Sequence, residues 1–302
     1  MDRSATAIRR RGLSAIHRLV SAAVALLAVL FLVTPPATAV AVPSPKEYVS
    51  YLDLECFATD PYQPPGAPKV TISHLNPVLA KQPSQTVALG PREQLCTPVA
   101  KNQVIPPKSV LEFISFTDLA CYRTIGAALN TSLVLSQLNP VLADLGRQQV
   151  AVGALQQLCV PVLKNDTVPP SKEALEFISH IDLACYAITP NTPMNRALSL
   201  TQLNPVVARA IRPRDVRVTD ARQLCVPVQK KGDEIPDELL RVIQWIDLEK
   251  YDLASGTAIQ NLPLTLRHIN PVLRGLPVER ATLLGRSQLA VPVAKNGNFP
   301  PG

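Results

Sequence analysis

One six-residue stretch occurs four times in this 302-residue chain and divides it into repeats. It reads Gln-Leu-Cys-Thr-Pro-Val at 94–99, Gln-Leu-Cys-Val-Pro-Val at 157–162 and again at 223–228, and Gln-Leu-Ala-Val-Pro-Val at 288–293. An Asn-Pro pair lies upstream of every copy, and an Asp-Leu pair lies further upstream. Self-similarity at a fixed period is the signature of repeated structural units. The fold must therefore be one that four related units can build.

The Asp-Leu pairs set the period of the repeat. They begin at Asp53, Asp118, Asp182 and Asp247, which are about 65 positions apart. We place the repeat units at 46–107, 108–170, 171–237 and 238–302. A unit of this size has a small core and little stability to spare.

The cysteines follow the same repeat and predict a disulfide framework. Each of the first three units has one cysteine after its Asp-Leu pair and one in its six-residue stretch, whereas unit four has Lys250 and Ala290 at these places. Pairing within each unit leaves no cysteine unpaired, so we predict the disulfides Cys56–Cys96, Cys121–Cys159 and Cys185–Cys225. Free buried thiols or a metal site are the alternatives, although the chain lacks the Cys-x-x-Cys spacing that is common in zinc sites.

Residues 1–39 have the pattern of an export signal. Five arginines precede or border the mostly apolar run Leu19–Val33, and Ala37-Thr38-Ala39 fits a small-x-small cleavage site. The apolar run is shorter than the roughly 20 residues that span a bilayer, so a retained anchor is the less favoured interpretation. The sequence thus predicts a secreted or cell-surface protein that has no membrane span after cleavage and forms its disulfides outside the cytoplasm.

Within each unit the residue pattern favours short strands. Segments rich in β-branched and aromatic residues, such as Phe113–Tyr122 and Phe177–Tyr186, are typical of strands. The Asn-Pro pairs predict one or two helical turns, because asparagine suits the N-cap and proline the first helical position, and an extended edge segment is the alternative. The proline of the six-residue stretch predicts an edge or bulged strand. We therefore expect an all-β, β-rich fold: a tandem array of four small disulfide-stapled β domains with short helical turns, following the signal peptide.

The combination of motifs resembles a known type of domain. Units two and three show it best, with Cys121-Tyr122 followed by Leu158-Cys159 through Lys164, and Cys185-Tyr186 followed by Leu224-Cys225 through Lys230. This pattern resembles a family of uncharacterised repeated domains, of unknown function, in secreted bacterial proteins. The resemblance implies an exported bacterial protein and supplies no catalytic residues.

The recurring charged residues are candidates for contact with a polymer. A lysine ends each repeat of the six-residue stretch, and we expect these lysines to lie in solvent: Lys101, Lys164, Lys230 and Lys295. As a regular row they could bind an anionic polymer such as a cell-wall glycan. The recurring aspartates are expected to face solvent or to bond turns, and His74, His180 and His268 are expected to serve in turns or packing.

No catalytic motif stands out in the sequence. The chain lacks the patterns of a P-loop, a serine hydrolase elbow or a zinc protease. The formal net charge is +7, and most of the excess comes from residues 1–39, which argues against nucleic-acid binding. We therefore predict a non-enzymatic structural or interaction module with no cofactor, no metal and no catalytic residues. Its partner is unknown, and a cell-wall polymer and a surface protein are the candidates. A polymer binder and a hydrolase of unrecognised type are the alternatives.

Overall fold

The structure is a computed structural model that describes residues 41–255 and 261–302. The predicted export signal at 1–39 lies outside the described residues. Each unit contributes one main helix: α1 Pro45–Tyr51, α2 Lys108–Ser115, α3 Lys172–Ser179 and α4 Asp237–Ile243. No helix in the described part of the chain combines the length and apolar character needed to cross a membrane.

The strands of all four units form a single antiparallel sheet. Unit one contains β1 Leu54–Tyr62, β2 Lys69–His74, β3 Gln85–Ala88 and β4 Arg92–Lys101. Unit two contains β5 Leu119–Gly126, β6 Thr131–Gln137 and β7 Gln148–Lys164. Unit three contains β8 Asp182–Thr189, β9 Pro193–Gln202 and β10 Arg214–Lys230. Unit four contains β11 Leu248–Ser255, β12 Leu262–His268 and β13 Glu279–Lys295.

The first and last strands of every unit join into a closed ring. Each first strand pairs with the last strand of its own unit and with the last strand of the preceding unit. The order is β1, β4, β5, β7, β8, β10, β11 and β13, and β13 then pairs with β1. Closure removes the exposed edges that a row of separate sheets would present.

The second strand of every unit crosses to the opposite side of the ring. β2 pairs with the end of β10, β6 with β13, β9 with β4, and β12 with β7. Unit one is thus interlocked with unit three, and unit two with unit four. The expected tandem array of separate domains is not confirmed, because one 13-stranded sheet contains strands from every unit.

The proline of the six-residue stretch marks the point where a strand changes partners. On one side, β7 pairs with β8 as far as Cys159 and with β12 from Val162 onwards. Pro161 lies at this switch, where its missing N–H costs no ladder bond, while its carbonyl accepts from the backbone N of Ile269 at 3.3 Å. The edge alternative of the prediction is therefore wrong, since Pro161 also pairs with Leu119 of β5. The strand is bulged, but before the six-residue stretch, where its register shifts between Val152 and Gln157.

The four helices close one end of the ring. Val110, Phe113 and Ile114 of α2 recur at helical spacing and are fully buried, and the ring of Phe113 lies edge-on to Phe177 of α3 at 5.5 Å. This apolar stripe explains why the expected strands starting at Phe113 and Phe177 are wrong at their first residues. Those residues belong to helices, and the strands begin only at Leu119 and Asp182.

The disulfides line the interior of the ring beneath the helices. They join Cys56–Cys96, Cys121–Cys159 and Cys185–Cys225, which are the predicted pairs. Each bridge connects residues that face each other on neighbouring strands, and all six cysteines belong to the smaller buried cluster that also contains the helices. The larger buried cluster lies on the other face of the ring strands, beneath the crossing strands.

Candidate functional site

The recurring charged residues form four buried joints between neighbouring units. In each joint the lysine that ends a last strand forms an ion pair with the aspartate that precedes or begins the first strand of its own unit. The pairs are Lys101–Asp53, Lys164–Asp118, Lys230–Asp182 and Lys295–Asp247. All eight residues are at most 2% exposed.

An asparagine from the next unit completes each joint. Asn139 donates from Nδ2 to Asp53 at 2.6 Å, and its Oδ1 accepts from the backbone N of Val141 at 2.9 Å as a helix N-cap. The same contact to the aspartate recurs for Asn204 at 2.7 Å and Asn270 at 2.8 Å. Asn76 of unit one donates to Asp247 of unit four at 2.7 Å. The ring is therefore closed by the same joint that connects consecutive units.

The joints overturn the expectation of solvent exposure for these lysines and aspartates. The alternative of a turn-bonded aspartate agrees with the bond that each aspartate accepts from an asparagine at a turn. Burial raises the pKa of Asp53, Asp118 and Asp182 to about 6, while the lysines oppose this shift. Burial also lowers the pKa of the four lysines. The sequence predicts a solvated strand end, but here the asparagine turn of the next unit lies against each joint. A row of buried lysines cannot contact a polymer.

A second polar layer lies inside the ring, next to the disulfides. Lys250 stands where the first strand of each other unit has a cysteine. It donates from Nζ to Gln94 at 2.8 Å and to Gln157 at 3.0 Å. Its Nζ also lies 3.9 Å from Sγ of Cys121, on the opposite side of the ring. Burial lowers the pKa of Lys250 to about 7. The side chain is 1% exposed, so this amine supports the interior and is closed to a ligand.

The two turn histidines hold crossing strands to the ring. Nε2 of His74 lies 2.9 Å from the hydroxyl of Tyr186, and Nε2 of His268 lies 3.1 Å from the hydroxyl of Tyr122. The glutamines at the equivalent places bind polar groups two units away; Gln202, for example, donates to Glu55 at 2.8 Å. These histidines thus make hydrogen bonds, as expected for residues that alternate with glutamine. Both contact a tyrosine of the opposite unit, and Nε2 of His268 also lies 3.0 Å from Oε1 of Glu279 in its own unit.

One feature belongs to a single unit. Nδ1 of His180 lies 2.7 Å from Oδ1 of Asp233, and Asn270 donates to Oδ2 of Asp233 at 2.9 Å. Asp233 is 1% exposed and His180 6%, so both are buried beside the Lys230–Asp182 joint. Because a carboxylate only accepts, Nδ1 of His180 is the donor, and Nε2 remains for another partner.

His180 forms part of the floor of a groove between units three and four. The groove has a volume of about 470 Å³ and lies between α3 and the turn that begins at Asn270. His268 and Leu163 share the floor, and Leu175, Ile269 and Pro271 form apolar walls. Lys172, Glu176 and Arg274 stand at its exposed rim. The groove is thus lined by histidine and cationic side chains, and Asp233 lies beneath His180.

The sequence contains a signal for this groove that is visible only after the units are aligned. Residue 180 is histidine where the other units have Tyr51, Phe116 and Trp245. Asp233 occupies a turn position held elsewhere by Val104, Thr167 and Asn298, since the backbone N of each donates at 2.9 Å to the carbonyl of the preceding lysine. Position 274 is arginine where the others have Ala80, Ala143 and Ala208. Packing was the expected role of His180, and its bond to Asp233 was missed.

Comparisons with known proteins add no assignment. No family model matches the chain, and no curated protein or solved structure is detectably similar to it. The resemblance to repeated domains of secreted bacterial proteins therefore stays a prediction.

Proposed function

We propose that the protein is an exported, non-enzymatic interaction module that acts at or beyond the cell surface. The observation that carries this proposal is the use of the recurring polar residues: the lysines, aspartates and asparagines common to all units are buried in the joints. They build a scaffold and leave no repeated reactive group on the surface of the described residues. A closed scaffold of this kind holds surface side chains in fixed positions for a partner.

The disulfides support the extracellular part of the proposal. Three bridges are buried in the ring interior, and disulfides persist chiefly in oxidising compartments. The basic and apolar pattern of residues 1–39 agrees with export. Expression in a host with a secretion pathway tests this, with intact mass measured before and after reduction and alkylation. We expect a mature chain that starts near Val40 or Val42 and contains three bridges; an uncut leader with free thiols would contradict export.

The structure weakens the hypothesis that the protein binds a wall polymer. The four lysines that suggested it are buried, so such binding would require another surface. Retention of the mature protein on purified wall material, compared at low and high salt, tests this alternative, because contacts between exposed charges weaken with ionic strength.

A hydrolase of unrecognised type is the candidate that the His180–Asp233 pair favours. An aspartate that holds Nδ1 of a histidine leaves Nε2 free to act as a general base. Ser179 also lines the groove, but its hydroxyl donates to the carbonyl of Glu176 at 2.7 Å and not to His180. Turnover of activated esters that is lost in His180→Phe would replace the interaction module with this function.

A further inference from the structure

Three residues that break the repeat meet at one groove, and together they change its shape and charge. His180 replaces the Tyr, Phe or Trp of the other units, so the side chain on the floor of the groove is smaller and more polar. Arg274 replaces alanine at the rim, and Asp233 adds a buried carboxylate beneath the floor. If these three differences from the other units served packing alone, we would not expect all three at the same junction between units.

The rim of the groove carries an excess of positive charge. Lys172 and Arg274 are exposed and form no ion pair within 4 Å in the ranges that the structure describes. Glu176 is the one acidic residue at the rim. The two cations outnumber this carboxylate and favour an anionic group at this end of the groove.

The floor provides a fixed hydrogen-bonding atom. Asp233 holds Nδ1 of His180 at 2.7 Å and is itself held by Asn270 at 2.9 Å, so the orientation of the imidazole is set from below. Nε2 of His180 has no hydrogen-bond partner among the described side chains and is the ring nitrogen left for the groove. His268, which is 2% exposed, shares this floor, and its buried Nδ1 also has no partner within the described residues.

The walls add apolar surface. Leu175 and Ile269 are partly exposed and face each other across the groove with Pro271, and Leu163 lies below them. A ligand that fits must therefore combine a charged head with an apolar body. Ligand sites commonly show this combination of mostly apolar walls and a few fixed polar groups.

We infer that this groove binds a small organic anion, a carboxylate or phosphate group that carries an apolar substituent. Lys172 and Arg274 contact the anionic group, His180 bonds it or a neighbouring polar atom through Nε2, and the apolar body lies on Leu175, Ile269 and Pro271. The inference rests on the proposed function in one respect: the groove binds the anion and does not convert it.

Titration of the purified mature protein with two probes tests the inference. Phenyl phosphate and benzoate represent the two anionic groups, benzyl alcohol is the uncharged control, and inorganic phosphate lacks the apolar body. We expect saturable binding of one or both aromatic anions at millimolar concentration or below, by calorimetry and by shifts of the His180 ring signals in NMR. We also expect weaker binding of inorganic phosphate and of benzyl alcohol. Binding of neither aromatic anion would overturn the inference and leave the export test unaffected.

Matched variants at two grooves locate the binding. Lys172→Ala removes a rim cation, and Lys108→Ala removes the equivalent exposed lysine of unit two, where Phe116 and Ala208 occupy the other two places. Arg274→Ala restores the alanine of the other units. We expect Lys172→Ala and Arg274→Ala each to weaken binding about tenfold, as for loss of a charge-assisted hydrogen bond, and Lys108→Ala to leave it unchanged. Equal affinity in all three variants would overturn the site.

Discussion

Lys250 lies directly opposite Ala290 in the pairing of β11 with β13, at the register where each of the other units has a disulfide. In those units the paired cysteines have Cα atoms 3.7 to 3.9 Å apart and close loops of 38 to 40 residues. Unit four thus keeps the strand register of the bridge, but it has a lysine and an alanine in place of the two cysteines. This relationship allows a direct test of the fourfold repeat.

The double substitution Lys250→Cys with Ala290→Cys should form a fourth disulfide. A bridge over a loop of this length stabilises by about 4 kcal/mol in the chain-entropy model. Burial of the Lys250 amine is unfavourable, and the substitution removes this contribution as well. We therefore expect a higher midpoint of denaturation than in the parent. Peptide mapping checks the bond, and the reduced double variant is the control. Two free thiols after oxidative refolding would contradict the expected register.

The adjacent residues Glu249 and Lys250 should give stability a minimum near neutral pH. Burial raises the pKa of Glu249 from its ordinary 4.5 to about 7, so the folded state binds more protons there and stability falls as pH rises through this range. Burial lowers the pKa of Lys250 from 10.5 to about 7, so the folded state binds fewer protons and stability rises from pH 7 towards 10.5. Each contribution is of order 3 to 5 kcal/mol.

Two single variants separate these contributions. Glu249→Gln should remove the decline between pH 4.5 and 7, and Lys250→Met should remove the rise above pH 7. Denaturant unfolding at several pH values gives the free energy of unfolding of the parent and of both variants. The difference between parent and variant at each pH isolates the substituted group, because all other groups titrate alike in both proteins. Parallel curves for the parent and Lys250→Met would show that the amine titrates at its ordinary pKa.

Local features of the fold could be predicted from the sequence, whereas its closure could not. The repeat predicted the partners of Cys56, Cys121 and Cys185, because both members of each pair recur within one unit. It also predicted the helical turns after Asn139 and Asn204, because an asparagine cap acts over two residues. The pairing of β2 with β10 depends on residues more than 150 positions apart, and no local pattern encodes it.

The site shows the same limit. Lys164 appeared to be a solvated strand end, because alternation along a strand tells which face a residue occupies but not whether another unit covers that face. The aromatic residues at the equivalent positions predict packing for His180 and give no sign of a hydrogen bond. Its bond to Asp233 joins the end of α3 to the turn after β10, two elements of one unit that lie 53 positions apart in the sequence.

Removal of one buried lysine should be costly, in contrast to removal of an exposed cation. Lys164→Met leaves the carboxylate of Asp118 buried without its ion partner, which costs about 3 to 5 kcal/mol in comparable sites. Arg267→Met breaks the exposed pair with Asp166, at 2.6 Å, and should change stability far less, because solvent screens this pair. Guanidinium unfolding measures both changes.

A second variant tests whether the isolated charge is the cause. Lys164→Met combined with Asp118→Leu removes both charges and should recover part of the stability, because apolar replacement of a buried pair is often neutral or favourable. Asn204 then loses its acceptor on Asp118, so recovery should be incomplete. A double variant less stable than Lys164→Met alone would indicate that the joint stabilises through geometry rather than charge.

Removal of unit four should abolish folding of the remaining three units. A chain that ends at residue 237 lacks β11 to β13, so β1 and β10 each lose a ring neighbour and the ring stays open. Asp182 also loses Asn270, and Asn76 loses Asp247. We expect no cooperative unfolding transition for residues 41–237, whereas separate domains would leave three folded units. Calorimetry of the oxidised fragment distinguishes these outcomes.

A circular permutant is the matched control, since it changes the connectivity while keeping all four units. The backbone N of Lys46 donates to the carbonyl of Pro301 at 3.0 Å, so the two ends of the described chain lie side by side and a short linker can join them. New ends fit at Ile105, which is 50% exposed and lies between units one and two. The ring depends on the presence of four units and not on where the chain starts. The permutant should therefore unfold in one cooperative transition close to that of the parent, and failure of the permutant would mean that truncation acts through the position of the ends.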